Sequence, residues 1–335
     1  MRSYKVLTLT DHTDHSGENS VYAILRAMVR HDRCARVDIA SRGNVANDPF
    51  FKAHRFEVVQ AIAATENFDF QESGRQFFEN TRAVDPRDYD LIFLRLPRPL
   101  SDAFLEGING FLKNVAIINN PLGITTCGSK TFLLNFPEFC PPMALCKRVE
   151  EVLAFAEKQD MVLKPLRGYG GEGIVKISGS LLNDGHRDWD TSSYLKQIEK
   201  GLTEEGYLAM KFLKNVDQGD KRLLVVDGEI LAAALRLPAA NSWLCNVARG
   251  GTSVSSEPTK REREMVHAIN PLLQHHGILI YGVDTLVDDD GERVLSEVNV
   301  MSIGGFPQAE AQTGKPILKM TIDKIFEYAD AHYGY

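Results

Sequence analysis

Residues Gly282 to Asn299 read GVDTLVDDDGERVLSEVN, and the reading of this stretch decides the fold. Apolar and polar residues alternate on both sides of Asp288-Asp289-Asp290-Gly291, the pattern of a β-hairpin. Asp284 lies on the first arm, Glu297 and Asn299 on the second. Two residues apart, Glu297 and Asn299 share a strand face. With Val287 paired to Glu292 across a four-residue turn, Asp284 stands opposite Leu295 on that same face. Two carboxylates and an amide oxygen then converge from a rigid sheet, an all-oxygen set that suits Mg²⁺. The plainer alternative is a solvated face of an edge hairpin.

The bulk of the chain narrows the classes. Its 335 residues allow roughly two or three structural units. Apolar residues make up 44% and charged residues 25%, an ordinary globular composition. A net charge of -7 argues against a general nucleic-acid or acidic-membrane binder, although local basic groups can still dominate a cleft. MRSYKVLTLT reads as a strand start rather than a signal peptide. No run approaches the ~20 apolar residues that span a bilayer. A soluble, cytoplasmic protein is expected. Cys34, Cys127, Cys140, Cys146 and Cys245 form no CxxC pair, so reduced thiols are expected. The nine His show no HExxH or triad pattern, which gives no support to a Ser or Cys hydrolase.

Tyr4–Thr10 reads as a buried strand, Val21–Arg30 as a helix capped by Ser20, and Arg36–Ala40 as a second strand. This βαβ opening predicts a mostly parallel sheet. Glu57–Ala64 is a candidate strand and Gln71–Arg82 a candidate helix. Leu91–Leu96 is a buried strand carrying Arg95, which is either paired at the strand end or aimed at an anionic ligand. Phe104–Lys113 reads as a helix and Ala116–Asn119 as a strand. Thr126–Asn135 starts another helix with Lys130 in its first turn. A cation there opposes the helix dipole, which makes sense if it faces an anion; a surface Lys is the alternative.

Met161–Ser178, MVLKPLRGYGGEGIVKIS, places Lys164 on a strand before a glycine-rich turn. Gly168-Tyr169-Gly170-Gly171-Glu172-Gly173 matches GxGxxG, but the β-branched IVKIS that follows is a strand, not the helix a dinucleotide fingerprint needs. The segment is a hairpin whose tip can lie over phosphates through backbone N–H groups. Leu181–Ser193 reads as a polar loop and Tyr194–Lys200 as a short helix. Leu208–Leu213 reads as a connecting strand whose Met210, Phe212 and Leu213 suit an adenine ring or simple core packing. Leu223–Asp227 and Ile230–Leu237 form a hairpin. Arg222 and Arg236 border it, and two arginines on buried-looking strands cost desolvation unless an anion meets them. Asn246–Glu257 is a Gly/Ser-rich loop holding Arg249. Glu262–His275 is a helix, Met301–Gly305 a glycine loop, and Ile317–His332 a closing helix. Unit boundaries are expected near 125 and 213.

In order, Lys130, Lys164-Pro-Leu with GYGGEG, GDKRLLVVDGE from Gly219, Arg236, Asn246 with Gly250-Gly251, Gly282-Val-Asp284 and SEVNV from Ser296 make a series. It resembles the bacterial glutathione synthetases of the ATP-grasp superfamily from about residue 91 to the C-terminus, and more weakly over the first 40 residues. The resemblance implies an α/β and α+β fold. Residues 1–125 would form a parallel α/β domain on the substrate side, 126–213 a lid, and 214–335 an antiparallel-sheet domain with the Mg²⁺ site. It implies ATP bound by Lys130, Lys164, Gly168, Tyr169, Gly170, Gly171 and Asp220, with adenine held by Met210, Lys211, Phe212 and Leu213. Mg²⁺, or Mn²⁺ in its place, would sit on Asp284, Glu297 and Asn299. Arg222, Arg236 and Asn246 would serve the acyl phosphate and its nucleophile, with Arg95, Arg249, Gly250, Ser302 and Gly304 on the substrate. Small peptide and amino-acid substrates are implied, γ-glutamylcysteine and glycine first, and a homo-oligomer is the expected assembly. Two departures fall on the substrate side. Leu244-Cys245-Asn246 stands where the family commonly has Arg-Gly-Asn, and Arg95-Leu96-Pro97-Arg98-Pro99 where it commonly has Arg-Lys-Asp-Pro-Pro. A ligase for another peptide or amino acid is therefore the second reading, and a non-catalytic nucleotide-binding protein the third.

Overall fold

A computed structural model of the chain describes residues 2–168, 171–238 and 252–334. Among the described residues, three sheets follow one another along the chain. The first comprises β1 (Tyr4–Thr10), β2 (Cys34–Ser41), β3 (Val59–Ala63), β4 (Arg82–Val84), β5 (Leu91–Arg95) and β6 (Ala116–Ile118), in the order β4-β3-β2-β1-β5-β6. The pairs β1/β2, β1/β5 and β5/β6 are parallel, as the βαβ opening predicts. β3 and β4 are added antiparallel, because the segment after β2 supplies one helical turn instead of a crossover helix. The helices of this region are α1 (Ser20–Val29), α2 (Asp48–Phe51), α3 (Asp102–Phe111) and α4 (Pro121–Cys127).

The second sheet is antiparallel throughout and holds β7 (Met143–Cys146), β8 (Met161–Pro165), β9 (Val175–Ser178), β10 (Leu181–Asn183), β11 (Asp188–Asp190) and β12 (Tyr207–Lys211). With α5 (Val149–Ala156) and α6 (Thr191–Glu204) it encloses a small core around Val152, Leu163, Leu195 and Leu202. The third sheet is also antiparallel: β13 (Asp220–Val226), β14 (Glu229–Leu237), β15 (Thr252–Ser256), β16 (Ile280–Val287) and β17 (Arg293–Asn299), ordered β15-β14-β13-β16-β17. It carries α7 (Lys260–His275), α8 (Phe306–Thr313) and α9 (Ile317–Tyr333). The expected boundary near 125 falls inside α4, and that near 213 between β12 and β13. No described helix is long and apolar enough to cross a membrane.

Several local readings are corrected. Asn19, not Ser20, caps α1 by accepting the Val21 N–H; the Ser20 hydroxyl instead accepts the Gly305 N–H at 2.9 Å. Gln71–Arg82 holds only a 3₁₀ turn, Arg75–Phe77, and then β4. Thr126–Asn135 is two pieces: α4 ends at Cys127, Ser129 caps anew, and a 3₁₀ helix runs Lys130–Asn135. Leu181–Ser193 contains the β10–β11 pair, α6 is longer than the short helix expected, and the end of the 246–257 loop is β15. α8 had no expectation.

Asn119 joins the first sheet to the third. Buried just past β6, its Oδ1 accepts the N–H groups of Leu279 (2.9 Å) and Ile280 (3.0 Å). Its Nδ2 donates to the carbonyls of Ile280 (2.6 Å) and Val300 (2.7 Å). One amide thus satisfies the backbone at the start of β16 and just past the end of β17, and fixes the third sheet against the first. Asn119→Ala strands two donors and two acceptors in the interior. It is expected to lower unfolding stability by about 2–4 kcal/mol, read from the urea midpoint at unchanged slope.

Candidate active site

β13, β14, β16 and β17 lay one face of the third sheet beneath a cavity of about 450 Å³. The sequence reading of the hairpin holds, but its register does not. Val287 pairs with Arg293, not Glu292, and a bulge between Asp284 and Thr285 inserts Ser296 as an extra residue. Asp284 therefore stands opposite Glu297 rather than Leu295, with Asn299 opposite Gly282 on the same face. The Ser296 hydroxyl closes the bulge by donating to the Asp284 carbonyl at 3.1 Å. The two carboxylates are thus direct cross-strand neighbours.

The cations are arranged around them. Arg222, opposite Asp284 on β13, makes a two-pronged pair with it through Nε to Oδ1 and Nη2 to Oδ2, the latter at 2.6 Å. Arg236 on β14 forks onto Asp220, with Nε to Oδ1 at 2.7 Å, and also reaches Asp284 Oδ2 at 3.0 Å. Lys130 donates to the Gly168 carbonyl at 2.8 Å and lies 3.3 Å from Glu297 Oε1. Lys164 reaches down from β8 to the Ser296 carbonyl at 3.4 Å. Four cations face three carboxylates.

Burial and neighbouring charge together set the protonation. It would raise the Asp284 carboxyl, but the charges of Arg222 and Arg236 outweigh it and hold the group below its ordinary value. Asp220 is pushed up to about 6, by burial and then by the charge of Asp284, against the pull of Arg236. Burial lowers Lys164, the neighbouring Lys130 adds to this, and Glu297 opposes it. A surplus of desolvated cations around a small carboxylate set is what a polyphosphate needs from a protein.

Most of the expected site converges here. Gly168, Gly171, Met210, Lys211, Phe212, Leu213, Asp220, Ser302 and Gly304 line the same cavity as the charged cluster. Lys211 is tied to Asp289 at 2.8 Å, and Lys176 stands 3.7 Å over the Phe212 ring. Arg95 does not line it. Its guanidinium is buried, donates from Nη2 to the Ile303 carbonyl at 2.7 Å, leaves Nε without a hydrogen bond, and is lowered to about 10 by desolvation. Among the described residues it braces the glycine loop from behind. Arg98, two residues past Leu96, lines the cavity in its stead. Its signal in the sequence was a cation between two prolines just past a strand. Tyr169, Gly170, Asn246, Arg249 and Gly250 lie outside the described residues.

Whether the set fits a divalent cation can be read from its spacing. Asn299 Nδ2 donates to Asp284 Oδ2 at 3.2 Å and to Glu297 Oε2 at 3.4 Å, so the three side chains meet at one point of the face. Among the described residues no three of His, Cys, Asp and Glu are placed to hold a metal ion together, so an ion would complete its shell with the amide and with oxygens from outside the protein. Two carboxylates and an amide that meet on one strand face are a donor set of the kind Mg²⁺ takes.

The family described as prokaryotic glutathione synthetase, ATP-grasp domain, matches residues 129–314. A glutathione synthetase of Rhodopseudomonas palustris is 32% identical over 249 residues, 73% of this chain and 75% of that protein. One of Nitrosomonas europaea is 28% identical over 323 residues, 92% of each. Among solved structures, a D-cycloserine synthetase superposes with a TM-score of 0.66 over 97% of this chain and 99% of its own, at 12% identity, a likeness of fold alone.

Gly282 gives the cluster its clearance: a Cβ there would sit 2.9 Å from Arg222 Cδ. Gly282→Ala keeps a strand residue in place but displaces the guanidinium. Calorimetric titration is expected to show ATP affinity reduced about tenfold, the worth of one charge-assisted hydrogen bond, with the urea midpoint little changed.

Proposed function

The chain belongs to the prokaryotic glutathione synthetase family, and from that premise we propose that it joins γ-glutamylcysteine to glycine, driven by ATP. It is an ATP-dependent carbon–nitrogen ligase on the ATP-grasp fold. The family carries the choice of substrates, and the surplus of desolvated cations around a cross-strand carboxylate pair supports the phosphoryl transfer.

The chemistry follows from what such a site can do. A carboxylate resists attack by an amine because its leaving group would be oxide. Transfer of the γ-phosphoryl group to the cysteinyl carboxylate breaks the β–γ P–O bond and forms a mixed anhydride with ADP as leaving group. The glycine amine then attacks the acyl carbon, loses a proton, and phosphate departs. Neither step needs a protein nucleophile; both need positioning and charge neutralisation. Lys130 and Lys164 would hold the phosphates, and Arg222 and Arg236 would face the transferring group. Met210, Phe212 and Leu213 would seat adenine, and Gly168 and Gly171 would approach the phosphates closely enough to exclude water. Asp284, Glu297 and Asn299 would hold Mg²⁺, which when bound neutralises phosphate charge and aligns the γ-phosphoryl group. Ser302, Gly304 and Arg98, which line the same cavity, would meet the acyl donor. We assign residues 1–125 to the substrate side, 126–213 to the lid and 214–335 to the metal side.

A second reading, a ligase for another peptide or amino acid, draws on particular residues. Leu244-Cys245-Asn246 lacks the arginine common at that place, and Arg95 is turned onto a carbonyl behind the cavity.

Phosphate release is measured with ATP, Mg²⁺ and γ-glutamylcysteine, with and without glycine, alongside product mass. Glycine-dependent phosphate and a product of glutathione mass are expected. Silence with this pair and turnover with another amine would establish the second reading. Glu297→Gln is expected to lower turnover by about 10²–10³-fold with the fold intact by near-ultraviolet dichroism. Near-normal activity would remove Glu297 from the metal set.

A further inference from the structure

We propose that the chain's own cations close its metal seat, so that a divalent ion enters only together with a nucleotide. The proposal rests on the assignment of Asp284, Glu297 and Asn299 as the metal set.

Every oxygen of the carboxylate pair already has a partner. Asp284 Oδ1 accepts Arg222 Nε. Asp284 Oδ2 accepts Arg222 Nη2 at 2.6 Å, Arg236 Nη2 at 3.0 Å and Asn299 Nδ2 at 3.2 Å. Three donors exceed the two lone pairs of one oxygen. Glu297 Oε1 faces Lys130 Nζ at 3.3 Å, and Oε2 faces Asn299 Nδ2 at 3.4 Å. The amide of Asn299 thus turns its donor, not its oxygen, to both carboxylates. A metal ion needs that amide reversed and those guanidiniums elsewhere.

Charge decides when this can happen. A divalent ion arriving alone would deepen an existing excess of positive charge, would strand Arg222, whose side chain is only 23% exposed, and would leave Arg236 with Asp220 as its one carboxylate among the described residues. Stranding a charged donor in so dry a place is costly. A triphosphate changes the sum. It brings a tetraanion's worth of oxygens within reach of the same guanidiniums, which can leave Asp284 without losing a partner. Arg222 and Arg236 then end on the phosphate chain, where phosphoryl transfer develops charge, and Asp284 is released to the metal. The exchange couples the two ligands: each must raise the other's affinity by the same factor.

Binding of Mn²⁺ is followed by the electron paramagnetic resonance signal of the free ion. It is measured with full-length protein alone and with the uncleavable β,γ-methylene analogue of ATP, corrected by a protein-free nucleotide control. The wild-type protein alone is expected to bind Mn²⁺ at least tenfold more weakly than the protein with nucleotide. Arg222→Gln, which removes one competitor for both oxygens, is expected to tighten Mn²⁺ binding without nucleotide by roughly tenfold. Equal Mn²⁺ affinity with and without nucleotide in the wild type overturns the exchange while leaving the ligand assignment standing. No gain in a folded Arg222→Gln protein also overturns it, and the wild-type comparison decides alone if that variant does not fold. Nucleotide-dependent Mn²⁺ binding that survives Asp284→Asn overturns the ligand assignment itself, and the exchange with it.

Discussion

One extra residue in β17 sets the chemistry of this molecule. In an antiparallel pair, residues directly opposite share a face, and a slip of one residue turns a side chain to the other. Had the ladder run on unbroken from Val287–Arg293, Asp284 would have met Ser296, and Glu297 would have faced Val283. The bulge absorbs Ser296, buries it, and brings Asp284 and Glu297 together above the cavity. It also turns the Ser296 carbonyl toward Lys164, so the same irregularity anchors a cation from the sheet above. A bulge disrupts pairing locally, and its presence beside the most highly charged face of the sheet fits a feature kept for the site.

The hairpin itself was legible because two strong signals agree: alternation on both arms and an Asp-Asp-Asp-Gly turn. Its register was not, since a bulge leaves the alternation on each side intact and shows only as a phase change between the arms. The glycine-rich hairpin was legible for a related reason: Val175, Ile177 and their polar neighbours alternate after the glycines, which no helix would require. Where the reading failed, local pattern was weak or another partner won. Gln71–Arg82 and Leu181–Ser193 are polar, and their short strands are held by neighbours rather than by propensity. Ser20 is a good cap by type, but Asn19 is as good and its neighbour's hydroxyl is engaged by Gly305.

The two arginines of the Arg95–Pro99 stretch show where residue type stops being informative. Both are cations at the end of a buried strand, and sequence favoured the one inside the apolar run. Alternation puts consecutive strand residues on opposite sides, and only the loop that covers the strand end determines which side is the cavity. That loop, Met301–Gly305, arrives from more than two hundred residues downstream. Arg95 meets its Ile303 carbonyl, and Ser302 Oγ donates to the Leu96 carbonyl at 2.7 Å. Arg98 is left on the cavity side. The assignment is a tertiary one, made by packing and not by the composition of either segment.

The reverse face of the same strands explains why so charged a face can be held steady. Lys221 and Thr285 are opposite each other, one step along from Arg222 and Asp284, and so point away from the cavity. There Lys221 Nζ lies 3.0 Å from Glu262 Oε2, and Thr285 Oγ1 donates to Glu262 Oε1 at 2.6 Å. Glu262 also accepts the Thr259 N–H that begins α7, at 2.7 Å. A buried ion pair of this kind adds little net stability, because desolvation offsets attraction. Its effect is on register: it is satisfied only when Lys221 and Thr285 are aligned under α7, and that alignment is the one that sets Arg222 against Asp284. The face that must rearrange and the face that must not are two sides of one strand pair. The buried pair can fix the backbone while the guanidiniums above it remain able to change partner.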